Sequence, residues 1–499
     1  MKISRLSRVA SVLAFAAVVG ACDEGWTDLT GLNENPNSPT DVPAPFLFTE
    51  GTQEAASDLL GNSFNLDYGE HLVQHISEIS YPEEDIYVYR GNEVNGLWRE
   101  AYAEYLMDFQ RVIEKGRETD QPNITAAGLV MKSWVFQNLT DIWGAMPYSQ
   151  AFQGDSIVTP VYDSQQAIYT ALFENLTTAA QTIDPATDPL GSQDLIYQGD
   201  MAKWQKFANS LRLRLAMRLS EVDPATAEAQ FNAALAAPGG VFTSMDDNAK
   251  VCYGAVTFQP WYDYYQGRKN DYRVSATVID TLKSLDDPRL GFFVQPIQSD
   301  SVEGEPVEGP VYRGMPSGLL DGHGYEPTET SYPGEYYLSQ TGCLPIMTYA
   351  EVLFLRAEAA ARGWTSGNAE QLYYDAITAS MERANALAVD PDFEITDAEI
   401  AAYLAQPEVA WTGNFREQIG VQKWIALFGQ GMEAFAEVRR LGYPVLTPGP
   451  GARIDELPSR FPYPYSEETF NEVNLKDALA AQGMANINVQ TAPVWWDVE

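Results

Sequence analysis

His71 and His75 stand four residues apart, a spacing that sets two imidazoles on one helix face. A zinc protease of the His-Glu-x-x-His type needs a glutamate between them, and none is there. Glu70 adjoins His71 without restoring that motif, so the pair reads as two hydrogen-bonded structural histidines. No Cys/His cluster has zinc spacing, and no Asp-x-Asp-x-Asp-Gly loop offers calcium a seat. A Gly-x-Ser-x-Gly nucleophile turn and a phosphate-cradling Gly-x-x-x-x-Gly-Lys-Ser/Thr run are both missing. Pairs of carboxylates at glycosidase separations carry no information in a chain with 69 acids. The expectation is a protein that is not an enzyme and holds no cofactor.

Aromatic side chains accumulate instead, in stretches without helical periodicity. Phe258, Trp261, Tyr262, Tyr264 and Tyr265 form the densest run; Tyr325, Tyr332, Tyr336 and Tyr337 form a second, and Tyr81, Tyr87 and Tyr89 a third. Flat ring faces beside amides, carboxylates and guanidinium groups are the two ingredients of a small-molecule site. The segment Phe258–Arg273 is therefore the expected binding surface. Trp261, Tyr262 and Tyr265 are its stacking platforms, Asn270, Asp271 and Arg273 their polar partners, and Tyr332 a contributor from the second cluster. The competing reading packs these rings onto helices, with phenol oxygens at the surface.

The elements that must carry these stretches are helical. Leu97, Ala101, Tyr105, Phe109 and Ile113 recur four apart and predict one helix over 97–114. Further helices are expected over 124–142, 166–183 and 201–219, the last with Trp204, Phe207, Leu211, Leu215 and Leu219 on one stripe. Residues 349–387 read as a hairpin of two helices broken at Gly363, Gly367 and Asn368, with small residues that let the helices cross closely. Another long helix is expected over 419–440, stopped by Leu441-Gly442-Tyr443-Pro444. Residues 241–269, 292–345 and 444–499 are rich in Gly, Pro, Tyr or Asn and read as irregular excursions. The fold class is mainly α: a tetratricopeptide-like helical-hairpin scaffold with large loop-rich insertions.

Lys2, Arg5 and Arg8 precede an apolar run ending at Val19-Gly20-Ala21, followed by Cys22 and Asp23-Glu24. This is a secretory signal, and a cysteine after the small residues matches a bacterial lipobox. The expected division is a signal peptide over 1–21, a lipidated tether over 22–45 and a single domain over 46–499. Each buried methylene of an acyl chain contributes about 0.8 kcal/mol, so lipid on Cys22 would anchor the chain firmly. A net charge of −38 excludes a basic nucleic-acid face and attraction to anionic lipid heads. Cys252 and Cys343 remain, either as a disulfide or as two buried thiols.

Several motifs in order carry a family resemblance: Asn35-Pro36-Asn37-Ser38-Pro39-Thr40 after the lipobox, Asp141-Ile142-Trp143-Gly144-Ala145-Met146-Pro147-Tyr148-Ser149, Trp204 to Arg214, Asp287-Pro288-Arg289, Tyr349-Ala350-Glu351-Val352 with Arg356-Ala357-Glu358-Ala359, Gln422 to Leu427, Glu437 to Pro444, and Arg460-Phe461-Pro462-Tyr463-Pro464. In these the chain resembles the SusD/RagB nutrient-binding outer-membrane lipoproteins. The resemblance implies a lipid-anchored, surface-exposed protein that captures an oligosaccharide or peptide. It implies delivery to a SusC-type TonB-dependent transporter, and Asp23-Glu24 is similar to the acidic signal for surface export. Ligand contacts vary across that family, so the motif residues are expected to be structural. Trp204 and Trp424 would fill helix interfaces; Arg212, Arg214, Arg439 and Arg440 would pair with acids or cap helices. The alternative is a helical-repeat adaptor without its own ligand.

Overall fold

Helix starts in this chain are written in its polar residues. Ser164, Asp200, Asp223, Thr348 and Asn368 each accept a hydrogen bond from a backbone N–H two or three residues on, which satisfies donors the first turn leaves open. Proline takes the first turn at Pro122 and Pro224, where no N–H is needed. The computed structural model describes residues 41–321 and 324–498. The signal segment, Cys22, residues 22–40 of the expected tether and His323 lie outside the described residues.

The principal helices are α1 (Ala44–Ala56), α2 (Gly91–Ala103), α3 (Tyr105–Glu118), α4 (Pro122–Trp143), α5 (Gln165–Thr182), α6 (Met201–Arg218), α7 (Pro224–Leu235), α8 (Pro260–Arg268), α9 (Ala276–Ser284), α10 (Tyr349–Ala361), α11 (Ala369–Leu387), α12 (Phe415–Ala426), α13 (Gly431–Leu441), α14 (Tyr465–Phe470) and α15 (Glu472–Ala481). Neighbours in sequence pack as hairpins: α3 on α4, α4 on α5, α5 on α6, α6 on α7, and α10 on α11. Strands are few and short. β1 (Ile76–Glu78) pairs antiparallel with β3 (Tyr272–Val274), and β2 (Ala249–Cys252) with β6 (Cys343–Met347); β4 (Ser301–Val302) and β5 (Glu305–Pro306) form a small hairpin. Cys252 faces Cys343 in the β2–β6 register and the two form a disulfide. Among the described residues, no helix is long and apolar enough to cross a membrane.

The mainly helical hairpin architecture is as expected, with three local corrections. The helix expected over 97–114 is two, because Glu104 leaves helical geometry (φ −113°, ψ −98°). All five residues of its predicted stripe are nonetheless buried. The helix expected over 419–440 is also two, α12 and α13. Gly429 between them has φ +88°, and a Cβ there would stand 2.6 Å from the Tyr337 ring. Only glycine meets both demands cheaply. Finally, the segments read as irregular contain helices: α8 inside 241–269, and α14 and α15 inside 444–499.

Charged side chains bind the hairpins together from within. Arg214 on α6 holds Glu351 on α10 through two bonds of 2.6 Å, and Arg440 on α13 holds Glu358 on α10 in the same way. Arg218 reaches Glu433 at 2.6 Å, Asp141 at 3.1 Å and also Glu437. Burial would raise the Glu437 carboxyl, but Arg440, Lys423 and Arg218 outweigh it and hold it well below its ordinary value. Removing one member of such a buried set costs about 3–5 kcal/mol. Arg439 donates to the carbonyls of Ser459 and Asp141, and Arg212 pairs with the amide oxygen of Gln230 rather than an acid. Trp204 and Trp424 are buried, as expected of interface fillers.

Candidate functional site

Residues 258–273 are where the sequence concentrates its rings, and the structure sorts them by helical periodicity. The stretch read as a loop is α8, so Trp261 and Tyr265, four apart, share one face, and that face points inward. Trp261 is fully buried and donates its indole N–H to the carbonyls of Gly61 and Leu60 at 3.1 and 3.3 Å. It lies over a kink in the π-helical segment Ser57–Gly69, where Gly61 leaves helical geometry. A Cβ on Gly61 would approach Pro260 to 2.7 Å. Tyr265 is buried against Tyr272, ring centroids 5.7 Å apart. Neither ring offers a face to solvent, which corrects the expectation that both are stacking platforms.

Arg273 is corrected for a related reason. It sits in β3, fully buried, with its guanidinium 3.7 Å from the Tyr332 ring centroid. It also donates to the carbonyls of Pro327 and Lys269 and to the Thr330 hydroxyl. Arg273 and Tyr332 therefore meet as a buried staple between strand β3 and the irregular segment that carries Tyr332, not as ligand contacts. Asp271 is taken up by Arg268, which donates from Nε at 2.9 Å. Tyr262 is half-buried and Asn270 is exposed; both remain available.

What α8 presents outward is a cleft of about 430 Å³. Phe258, Asp263 and Tyr264 line one side, and Gln53, Ser57 and Asn62 the other. Phe258 is 37% exposed and packs edge-on against Tyr262 at 5.8 Å. Tyr264 donates to Asp67 and accepts from Arg268 at 3.0 Å. Arg268 in turn lies under Tyr81, 5.4 Å from its ring centroid, and Tyr81 is 65% exposed. The face is therefore continuous from Tyr81 through Arg268 and Tyr264 to Phe258. Burial pushes the Asp67 carboxyl up to about 6, against the hydrogen bonds of Tyr272 and Tyr264. Asp58, behind the cleft, is pushed up to about 7 by burial and by Glu100. Such a surface suits a neutral, hydroxyl-bearing ligand and repels anions.

Gln53, Ser57 and Asn62 were not among the residues singled out in the sequence; Tyr81 was, as part of the third aromatic cluster. The triplet Gly61-Asn62-Ser63, a turn signal inside an otherwise helical stretch, marks the place. His71 and His75 do not make a metal pair. Both are buried; His71 hydrogen-bonds the Leu66 carbonyl, and His75 bridges Glu70 and the Trp424 carbonyl. Among the described residues no cluster of His, Cys, Asp or Glu could hold a metal ion.

Comparison with known proteins gives a consistent answer. The SusD-like family described as starch-binding and associating with the outer membrane matches residues 36–464. A chitin-binding protein of known structure is 32% identical, with a TM-score of 0.80 over 91% of this chain and 99% of that one. A chitin-binding SusD homologue from Flavobacterium johnsoniae is 26% identical, with a TM-score of 0.77 over 91% and 99%. A SusD homologue from Bacteroides fragilis is 25% identical, with a TM-score of 0.79 over 91% and 100%. No curated protein sequence matches the chain.

Proposed function

We propose, from the premise that this chain belongs to the SusD-like family of starch-binding proteins associated with the outer membrane, that it is a glycan-binding protein of the cell surface. It is a binding protein and not an enzyme, as its family is. The carrying observation is the cleft beside α8: the exposed ring of Phe258, just before the helix, faces the amides of Gln53 and Asn62, and exposed Tyr81 joins through Arg268 and Tyr264. Sugar rings present an apolar face and a rim of hydroxyls, and this cleft offers a partner for each. Tyr262, packed against Phe258, extends it at the edge. Chitin-type and starch-type oligosaccharides, both neutral, are the ligands favoured by the names of the relatives and by the acidic surroundings.

In this reading Cys22 carries the lipid that holds the protein at the outer membrane, and the captured oligosaccharide passes to a SusC-type TonB-dependent transporter. Mass spectrometry of the native mature protein is expected to show acyl mass on residue 22; an unmodified terminus removes the anchor. Calorimetry with chito- and malto-oligosaccharides tests the site. The double variant Phe258→Ala/Tyr262→Ala is expected to bind at least about tenfold more weakly, a loss of about 1.4 kcal/mol, with its melting temperature nearly unchanged. Unaltered affinity in that variant places the ligand elsewhere.

A further inference from the structure

A second and larger cleft opens on another face, about 890 Å³, and shares no lining residue with the first. It is bounded by α2, the start of α3, the 147–160 connection and α14. Its back wall is rigid. Trp98 packs against Tyr102 and Trp143, with ring centroids 5.1 and 5.0 Å away, and the Tyr102 hydroxyl donates to the Pro147 carbonyl at 2.6 Å. At its mouth Phe470 is 74% exposed and Tyr465 49% exposed.

The polar groups around this wall are sorted by kind. The Asn95 side-chain oxygen accepts the Ser466 backbone N–H at 3.2 Å, and the Gln150 side-chain oxygen accepts the Val161 backbone N–H at 3.1 Å. A backbone N–H only donates, so each amide is fixed with its oxygen toward the protein and its NH2 turned away. Asn92 is held similarly, its oxygen 2.9 Å from the Tyr465 hydroxyl. Glu467, the carboxylate on the wall, already accepts from Tyr162 at 2.7 Å. Arg99, largely exposed, adds a further donor group. The cleft thus offers a ligand oriented amide donors, with the Glu467 carboxylate as its charged acceptor.

We infer that this cleft is a second saccharide site, selective for sugars bearing N-acyl groups. The inference rests on the glycan-binding reading above. An acetamido group brings a carbonyl acceptor for the Asn95 and Gln150 amides and a methyl group for the apolar wall, and the sugar ring brings a face for Phe470 or Tyr465. An unsubstituted sugar brings hydroxyls that can accept from the same amides, but it brings neither the stronger carbonyl acceptor nor the methyl group that the apolar wall would cover. A plain acyl chain would cover the amide NH2 groups without satisfying them, which is unfavourable. Anionic ligands are opposed by Glu467 and by the net charge of −38.

Isosteric changes isolate the donors. Asn95→Asp and Gln150→Glu keep the oxygens that accept from Ser466 and Val161 and replace each NH2 by an acceptor. Calorimetry of the full mature chain with fully N-acetylated chitotetraose is expected to show two equivalents bound. The pair N95D/Q150E should lose one, at least tenfold in affinity, and Phe470→Ala should weaken the same one. Cellotetraose should bind with one equivalent, untouched by either change. One equivalent of chitotetraose, abolished by Phe258→Ala/Tyr262→Ala alone, overturns the second site and leaves the first. No binding of any oligosaccharide overturns the glycan-binding reading itself. Loss of a capped peptide, N-acetyl-tetraalanine amide, in N95D/Q150E without loss of chitotetraose reassigns the cleft to peptides.

Discussion

Trp261 shows how a residue can have the right chemistry for a ligand and spend it on the protein. Its indole N–H satisfies carbonyls freed by the kink at Gly61, and its ring packs against Tyr337 at 5.8 Å. Trp261→Ala is expected to destabilise the chain by about 3–5 kcal/mol while leaving glycan affinity per folded molecule unchanged; a chemical melt and calorimetry separate the two effects. A stable variant with lost affinity contradicts the burial described. The sequence reading named this segment and its rings, but could not tell Trp261 from Phe258. That distinction depends on α8 being helical. Nine residues with proline first and aromatic residues at four of the next five positions have no clean polar face for periodicity to detect. Arg273 was equally opaque, since its stacking on Tyr332 joins residues 59 apart in sequence.

At the scale of elements, the hairpins were readable because their apolar stripes and small residues are local. α10 and α11 fall within the expected 349–387, broken where glycines and Asn368 predicted. Ala357 is fully buried in α10. Ala357→Trp should overpack that position at a cost of about 1–3 kcal/mol, read as a lower melting midpoint; an unchanged midpoint means the helix is rotated from its described orientation. Breaks within helical patterns were less readable. The glycines at 429 and 431 hint at the interruption, but the contact that closes Gly429 to any side chain is with Tyr337, which arrives from a remote segment.

Across the whole molecule, acidity and burial combine to make stability depend on pH. Burial, with neighbouring acids at Glu54 and Asp58, raises the carboxyls of Glu54, Asp58 and Asp85 to about 7; it raises Asp67 and Asp108 to about 6. In the unfolded chain these groups titrate at roughly 4. Between the two values the folded chain retains protons that the unfolded chain has released, so stability falls as pH rises. His71 acts oppositely: burial lowers it to about 3, so acidification below its ordinary value favours the unfolded chain. Five carboxyls outweigh one imidazole. The melting temperature is expected to be higher at pH 5 than at pH 7.5, and the reverse order would contradict the burial of these acids.

The inward anchoring of α8 also bears on how such a protein changes its diet. Trp261 and Tyr265 hold the helix from beneath, and the disulfide between Cys252 and Cys343 fixes the strand that leads into it. Positions 256, 258, 262 and 263 are left with little structural duty, and exposed substitutions of that kind usually shift stability by no more than about 0.5 kcal/mol. A lineage could exchange those side chains one at a time, each step surviving folding, and arrive at a new sugar preference without rebuilding the scaffold. Under the proposed function, mutational tolerance and ligand choice share the outward side of α8 and the turn before it, opposite the parts that cannot vary.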